Sequence, residues 1–302
     1  MEKAFIILAH KNPQQVARLI SSLDDSHSTF FLHFDKNVNS APFIKVFADN
    51  KNVVMVKNEY TFWGSFGIVQ ATLNAMKSAI NHYKTFDFIS LISGQHYPIK
   101  SNEYINNFLS RSPYHIFMEY SPIPNHHRWQ PRGGMFRIDK YFFGMKGYER
   151  TAAKAVNFLS SKIKMIQRNF PQTMKPYGGS QWWTMNRYAV KYILDFVKKN
   201  EAYCKFHRFT FAPDELFFHN IVLNADDERI KNSITNNNLL YLRWSNLRKG
   251  HPDILQQSDI QNIISSDALF ARKFDVTEDA DVLDLIDEHR KQMEGVEEKI
   301  SV

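Results

Sequence analysis

The chain of 302 residues predicts an α/β fold, a mostly parallel twisted sheet flanked by helices. Over the first 120 residues, short apolar runs alternate with stretches whose apolar residues recur at helical spacing. Several of these runs are continuously apolar, as in strands covered on both faces. Polar residues gather just after the runs, and α/β sheets take their ligands beyond the carboxyl ends of the strands.

Residues 4–9 read as the first strand and 13–23 as a helix with Val16, Leu19, Ile20 and Leu23 on one face. Strands follow at 29–34 and 52–56, then a long helix at 66–83 built on Val69, Leu73, Met76 and Ile80. A buried strand at 86–93, a short helix at 102–109 and a strand at 115–120 complete the pattern. Residues 121–175 change character, because Pro122, Pro124, Pro131, Gly133 and Gly134 interrupt them and basic residues are frequent. Long loops and one basic helix at 152–168 are expected there. Order resumes with a strand at 181–185, helices at 189–198 and 215–223, a strand at 239–244 and a charged helix at 280–293. Without repeats, low-complexity tracts or a flexible linker, residues 1–302 read as one domain.

Composition narrows the function. Hydrophobic residues make up 43% and aromatics 14%, which points to a globular chain. No run of eighteen apolar residues exists to span a membrane. The opening Met-Glu-Lys-Ala-Phe-Ile-Ile-Leu-Ala-His reads as a strand rather than a signal peptide, since it lacks a small-residue cleavage site. Cys204 stands alone and cannot form an internal disulfide, which fits a reducing cytoplasm. A net charge of +7 without helix-turn-helix, RNP or zinc-finger signatures argues against nucleic acid and for a phosphate ligand or a membrane surface.

The pentad Ala212-Pro213-Asp214-Glu215-Leu216 sits between Phe209, Phe211, Phe217 and Phe218. A carboxylate walled by rings can be held ionised and aimed, as a general base requires. The same pair can equally serve only to complement a helix dipole. Asp35 ends the second strand, placed either for a nucleoside or to cap the next segment. The 90–101 segment carries Gly94, Gln95, His96 and Lys100 beyond a buried strand, a ligand position or an ordinary strand exit. Trp63-Gly64-Ser65 precedes the long helix, with Ser65 as a candidate cap. Gly178-Gly179-Ser180 leads into Trp182 and Trp183. Neighbours on a strand face opposite sides, so one indole can enter the core and the other form a stacking platform for a sugar. Two core aromatics fit as well. Cations stand beside aromatics from Arg243 to Asp275, where they can match phosphate oxygens or form a basic surface. The Asp279-Ala280-Asp281 pair lies in the acidic tail and His126-His127 lacks a third ligand, so a metal-free site is expected.

These segments in this order resemble the core-2/I-branching β-1,6-N-acetylglucosaminyltransferase family in its compact bacterial form, a family that includes peptide O-xylosyltransferases. The resemblance runs through AFIILAHKNPQQVARLI, HFDKN, the WGS-led helix, LISGQHYPIKS, GGSQWWTMNR, FAPDELFF, HP and LFARKFD. It implies a GT-A-like fold and an inverting, metal-independent transfer from a UDP-sugar to a glycan hydroxyl. N-acetylglucosamine is the first donor sugar expected, with xylose, glucose and galactose beside it. The role implied is cell-surface polysaccharide synthesis on a glycan or lipid-linked acceptor, with no cofactor. Residues 1–120 become the nucleotide-sugar half, 121–275 the acceptor and catalytic half, and 276–302 the C-terminal helix.

By the resemblance Glu215 is the catalytic base. Lys273 and an upstream arginine bind the diphosphate; the sequence is gapped there, and Arg248 is chosen over Lys249. His10, Asp35, Gly94 and Gln95 complete the expected UDP-binding set. Trp244, Trp182, Trp183, Arg128, Arg132 and Asp214 are expected around sugar and acceptor. The cysteines and membrane anchor of the animal enzymes have no counterparts in this sequence. A cytoplasmic location with peripheral contact at the inner leaflet follows as the expectation. The rival classes are a carbohydrate-binding protein on a degenerate transferase fold, a metal-dependent phosphate-ester hydrolase, and a nucleic-acid binder.

Overall fold

Strand β1 (Lys3–Ala9) shows why the sheet is covered on both sides. Its Phe5, Ile7 and Ala9 join one core layer while Ala4 and Ile6 join the other, the two-residue alternation of a fully buried strand. A computed structural model describes residues 1–246 and 250–300. Around β1 stand β2 (Ser28–Phe34), β3 (Val53–Met55) and β4 (Phe88–Ser93), all parallel. The short β5 (His96–Pro98) leaves this sheet. Then β6 (Ile116–Pro122), β7 (Tyr177–Asn186) and β8 (Ile234–Asn236) extend it in the order β3-β2-β1-β4-β7-β6-β8. Strand β7 runs antiparallel to both of its neighbours, and β6 and β8 are parallel to each other. A small sheet of β5, β10 (Phe270–Arg272) and β9 (Leu240–Leu242) sits at the carboxyl end of β4. This is the α/β arrangement expected from the sequence.

The helix Pro13–Leu23 covers one face with Val16, Leu19, Ile20 and Leu23, and Phe66–Ile80 covers the other with Val69, Leu73 and Met76. The terminal helix Asp281–Ile300 packs Val282, Leu283 and Ile286 onto the first layer. Its Arg290 donates to the Lys100 and Ser22 carbonyls at 2.9 and 2.7 Å. Asp279, read as part of a solvated acidic face, instead accepts the Gln257 and Val282 amides at 2.9 and 3.1 Å.

Three expectations are corrected. The helix placed at 152–168 is Gly147–Ser160, started by a capping contact in which the Lys146 amide donates to Glu149 at 2.8 Å. The helix placed at 215–223 is two pieces, a 3₁₀ turn at Pro213–Glu215 and a helix at Phe217–Leu223. They separate because Leu216 leaves helical geometry (φ −129°, ψ −41°) to bury its side chain with Ile123 and Ile138. Finally, neither indole of the tryptophan pair is exposed. Trp183 packs at 5.9 Å from Phe218, and Trp182 lies under Arg272 and His96, so neither offers an open stacking platform.

Candidate active site

Two clusters lie along β7. At one end, β10 runs antiparallel to β5 with Arg272 opposite His96. The Arg272 guanidinium lies 4.7 Å from the Trp182 ring centroid, and the His96 ring stands edge-on to that indole at 4.6 Å. The Arg272 Nε atom is buried without a hydrogen-bond partner. Burial lowers its proton affinity to about 10. Lys273 follows, its own affinity lowered by burial and then by Arg272 and Lys11. His10, just past β1, is lowered by burial, then Lys11 and Arg272. Arg272 and Lys273 have no ion-pair partner among the described residues. Four basic groups thus crowd the carboxyl end of β1, where such a sheet takes its ligand.

The chain holds this cluster together by ties over long sequence separations. Lys11 pairs with Asp275, and Asn12 Nδ2 donates to the same carboxylate at 2.9 Å. Burial alone would raise the Asp275 carboxyl, but Lys11 and Thr277 outweigh it and bring it down to about 2. Gln15 Nε2 bridges the Gly94 and Phe274 carbonyls at 3.0 Å each.

At the other end, Glu215 closes the 3₁₀ turn. Ala212, at φ +48°, donates its amide to the Gly64 carbonyl at 3.0 Å and sets the entry to that turn. Arg137 Nη1 donates to Glu215 Oε2 at 2.6 Å, with the Arg137 side chain buried and that of Glu215 33% exposed. Glu215 is therefore both held and open to an incoming group. Arg137 also lies 5.4 Å from Trp129 and 5.8 Å from Phe211. Arg128 lies 5.0 Å from the same indole and donates to Glu119 at 2.7 Å. Asp214 is buried with Oδ1 unpartnered, and burial, then the Glu215 charge, pushes its carboxyl up to about 7 against the pull of Arg137.

The glycine pair lets β7 pass close beneath. A Cβ at Gly178 would meet Trp129 at 3.1 Å and the Glu215 carbonyl at 3.2 Å, and one at Gly179 would meet the Glu119 carbonyl at 1.9 Å. Four residues on stands Trp182, about 13 Å along an extended strand.

The structure therefore brings His10 and Lys273 into one cluster, and Glu215, Asp214 and Arg128 into the other. Trp244 is 41% exposed and stands two residues beyond Leu242, the register partner of Arg272. Arg132 stands apart, paired with Asp139 at 2.6 Å. Asp35 is buried, its oxygens taken by Asn37 at 2.7 Å and Thr61 at 2.6 Å, so it fastens two loops. Gly94 is a packing glycine, since a Cβ there would lie 2.7 Å from Val16. Gln95 ties its loop to Phe274 at 3.2 Å. Arg248 and Lys249 lie outside the described residues. Sequence reading missed Arg137, which stands in the four-residue helix Phe136–Asp139, too short to show a motif. It also passed over Arg272, for which the adjacent Arg-Lys pair was the available signal. Among the described residues, no three His, Cys, Asp or Glu side chains gather as a metal site requires.

The α/β sheet thus carries a cation cluster beyond β1 and, further along β7, a held and partly exposed carboxylate, a charge pattern that suits an anionic ligand. Residues 3–264 match the core-2/I-branching enzyme family, and the chain belongs to that family. It is 24% identical over 308 residues to xylosyltransferase 2 of Rattus norvegicus, covering 95% of this chain and 33% of that protein. It is 24% identical over 262 residues to xylosyltransferase 1 of Homo sapiens, covering 80% of this chain and 24% of that one. The chain thus spans a third or less of the length of these curated relatives. Among solved structures, mouse xyloside xylosyltransferase 1 in its apo form aligns with a TM-score of 0.36 and 12% identity, over 89% of this chain and 96% of that one. The 4-diphosphocytidyl-2C-methyl-D-erythritol synthase of Anaerococcus prevotii aligns with a TM-score of 0.33 and 10% identity, over 67% and 75%. Likenesses at this level add nothing to the topology described above.

Proposed function

We propose that this chain transfers a sugar from a UDP-sugar to a hydroxyl of a glycan or lipid-linked glycan, with inversion at the anomeric carbon. The observation that carries the proposal is the cluster of Arg272, Lys273, Lys11 and His10. Burial and then neighbouring positive charges lower the proton affinities of Lys273 and His10, and a diphosphate would relieve that repulsion. These cations would also neutralise charge developing on the departing UDP, a form of stabilisation that supplies much of enzymatic rate enhancement. The same cations repel a divalent ion, which favours a metal-free mechanism. Arg248 is proposed as a further diphosphate ligand and Trp244 as an acceptor contact.

Glu215 takes the proton from the acceptor hydroxyl as that oxygen attacks the anomeric carbon and the bond to UDP breaks. Arg137 and Arg128 hold the carboxylate side of the cleft. The curated relatives are named xylosyltransferases, so UDP-xylose stands beside UDP-N-acetylglucosamine as a first donor to test. The setting proposed is the cytoplasmic face of a cell membrane, in surface polysaccharide synthesis. No helix among the described residues is long and apolar enough to cross a membrane, so contact there would be peripheral.

The test pairs turnover with donor binding. A general base contributes ~10²–10⁴-fold, so Glu215→Gln is expected to lose that much turnover. The melting shift induced by UDP-sugar should persist in this variant, and in EDTA. Full turnover in Glu215→Gln would refute the base assignment. A melting shift that needs manganese would refute the metal-free site, and no shift with any nucleotide sugar would favour a carbohydrate-binding protein.

A further inference from the structure

The helix Gly147–Ser160 differs from an ordinary surface helix in carrying large apolar residues on its outward side. Its inward side carries half-buried Ala153 and Val156 beside Asn157, whose amide group exchanges bonds of 2.7 and 2.9 Å with the Tyr141 backbone. Its outward side carries Tyr148, Ala152, Ala155 and Leu159, at positions i, i+4, i+7 and i+11, with Phe158 beside them. Tyr148 is 69% exposed and Phe158 64%. The apolar surface continues past the helix through Ile163 and Met165, the latter 94% exposed.

Cations border this face. Lys146, Arg150, Lys154, Lys162 and Lys164 are all exposed. Glu149, the one acidic residue from 145 to 165, is turned to the Lys146 amide and packed against Gly144. Exposed apolar residues ringed by lysine and arginine match an interfacial helix that lies in the headgroup layer of an anionic bilayer. A second argument is position. Tyr141 and Phe143, just before the helix, pack on Phe209 at 6.0 and 5.6 Å, and Phe142 packs on Phe211 at 5.1 Å. Phe211 leads directly into the turn that carries Glu215.

We propose that the face formed by residues 145–165 docks on an anionic lipid surface. Where the sugar-transfer reading holds, this docking presents the Glu215 end of the cleft to acceptors anchored in that surface. The docking itself is independent of the chemistry.

The experiment is co-sedimentation of the whole chain with phosphatidylcholine vesicles, with and without phosphatidylglycerol. Wild-type protein is expected to pellet with the anionic vesicles alone. The pair Phe158→Ser and Leu159→Ser should abolish pelleting. The triple variant Lys154→Glu, Lys162→Glu, Lys164→Glu should weaken it by more than about tenfold, since each basic residue near such a surface contributes on the order of 1 kcal/mol. Each variant must keep the wild-type melting temperature and UDP-sugar shift, which separates lost docking from lost folding. Wild-type protein that stays in solution, or binding untouched by both variants, overturns the proposal. So does a concentration-dependent dimer abolished by the serine pair without vesicle binding, because the face would then be a self-contact. Loss of sugar transfer in Glu215→Gln leaves the vesicle result standing.

Discussion

Asp214 is a buried acid that burial and the neighbouring Glu215 charge push up to about 7, from 3.8. At low pH both folded and unfolded chains hold the proton. As pH rises past 3.8 the unfolded chain releases it first, so wild-type stability falls; the full cost stands above pH 7. The interval from 3.8 to about 7 corresponds to about 4 kcal/mol at 1.36 kcal/mol per tenfold change in proton affinity. Asp214→Asn keeps the shape and removes the ionisation. It should therefore stabilise the protein by about 1–2 kcal/mol at pH 5 and about 4 kcal/mol at pH 8. At roughly 2 °C per kcal/mol for a chain of this size, the gain in melting temperature should grow from ~3 °C to ~8 °C between those pH values. Differential scanning fluorimetry of the two proteins measures it directly. A difference that stays constant with pH would refute the reasoning, because it would mean that Asp214 is not held protonated in the fold.

Lys273→Met removes an unpartnered cation and should weaken UDP binding by roughly ten- to hundredfold, the worth of a charge-assisted hydrogen bond, as read by calorimetry. Its unliganded stability should not fall, because burial and the charges of Arg272 and Lys11 outweigh the pull of Asp275 and Asp253 on its ammonium. Arg137→Met leaves Glu215 without its 2.6 Å partner, so kcat should drop while the UDP-induced melting shift remains; equal loss of both would give Arg137 a general structural role. Gly94→Ala forces a methyl to 2.7 Å from Val16 and should cost about 1–3 kcal/mol in urea unfolding.

The parallel half of the fold was legible because its strands and helices obey two plain periodicities. Val16, Leu19, Ile20 and Leu23 mark the first helix by spacing alone, and its bounds are those expected. The segment at 147–160 was misplaced because its exposed side holds Tyr148, Phe158 and Leu159, so apolar spacing reports a surface there rather than a core. Short elements such as Ala41–Phe47 and β10 carry too few residues to show a period. Glu215 was legible as a candidate because the sequence sets two adjacent carboxylates within a frame of phenylalanines. Its partner Arg137 was not, since the pairing closes a gap of 78 residues that only packing creates. The tryptophan pair shows the converse. Alternation told that the indoles diverge, but the cover over Trp182 comes from Arg272, 90 residues later.

The ties that bind Gln15 to Phe274 and Lys11 to Asp275 join segments 259 and 264 residues apart in the sequence. A nascent polypeptide released as far as β8 has every strand of the large sheet, yet neither Arg272 nor Lys273. The cation cluster beyond β1 is thus completed only after the strands that carry it.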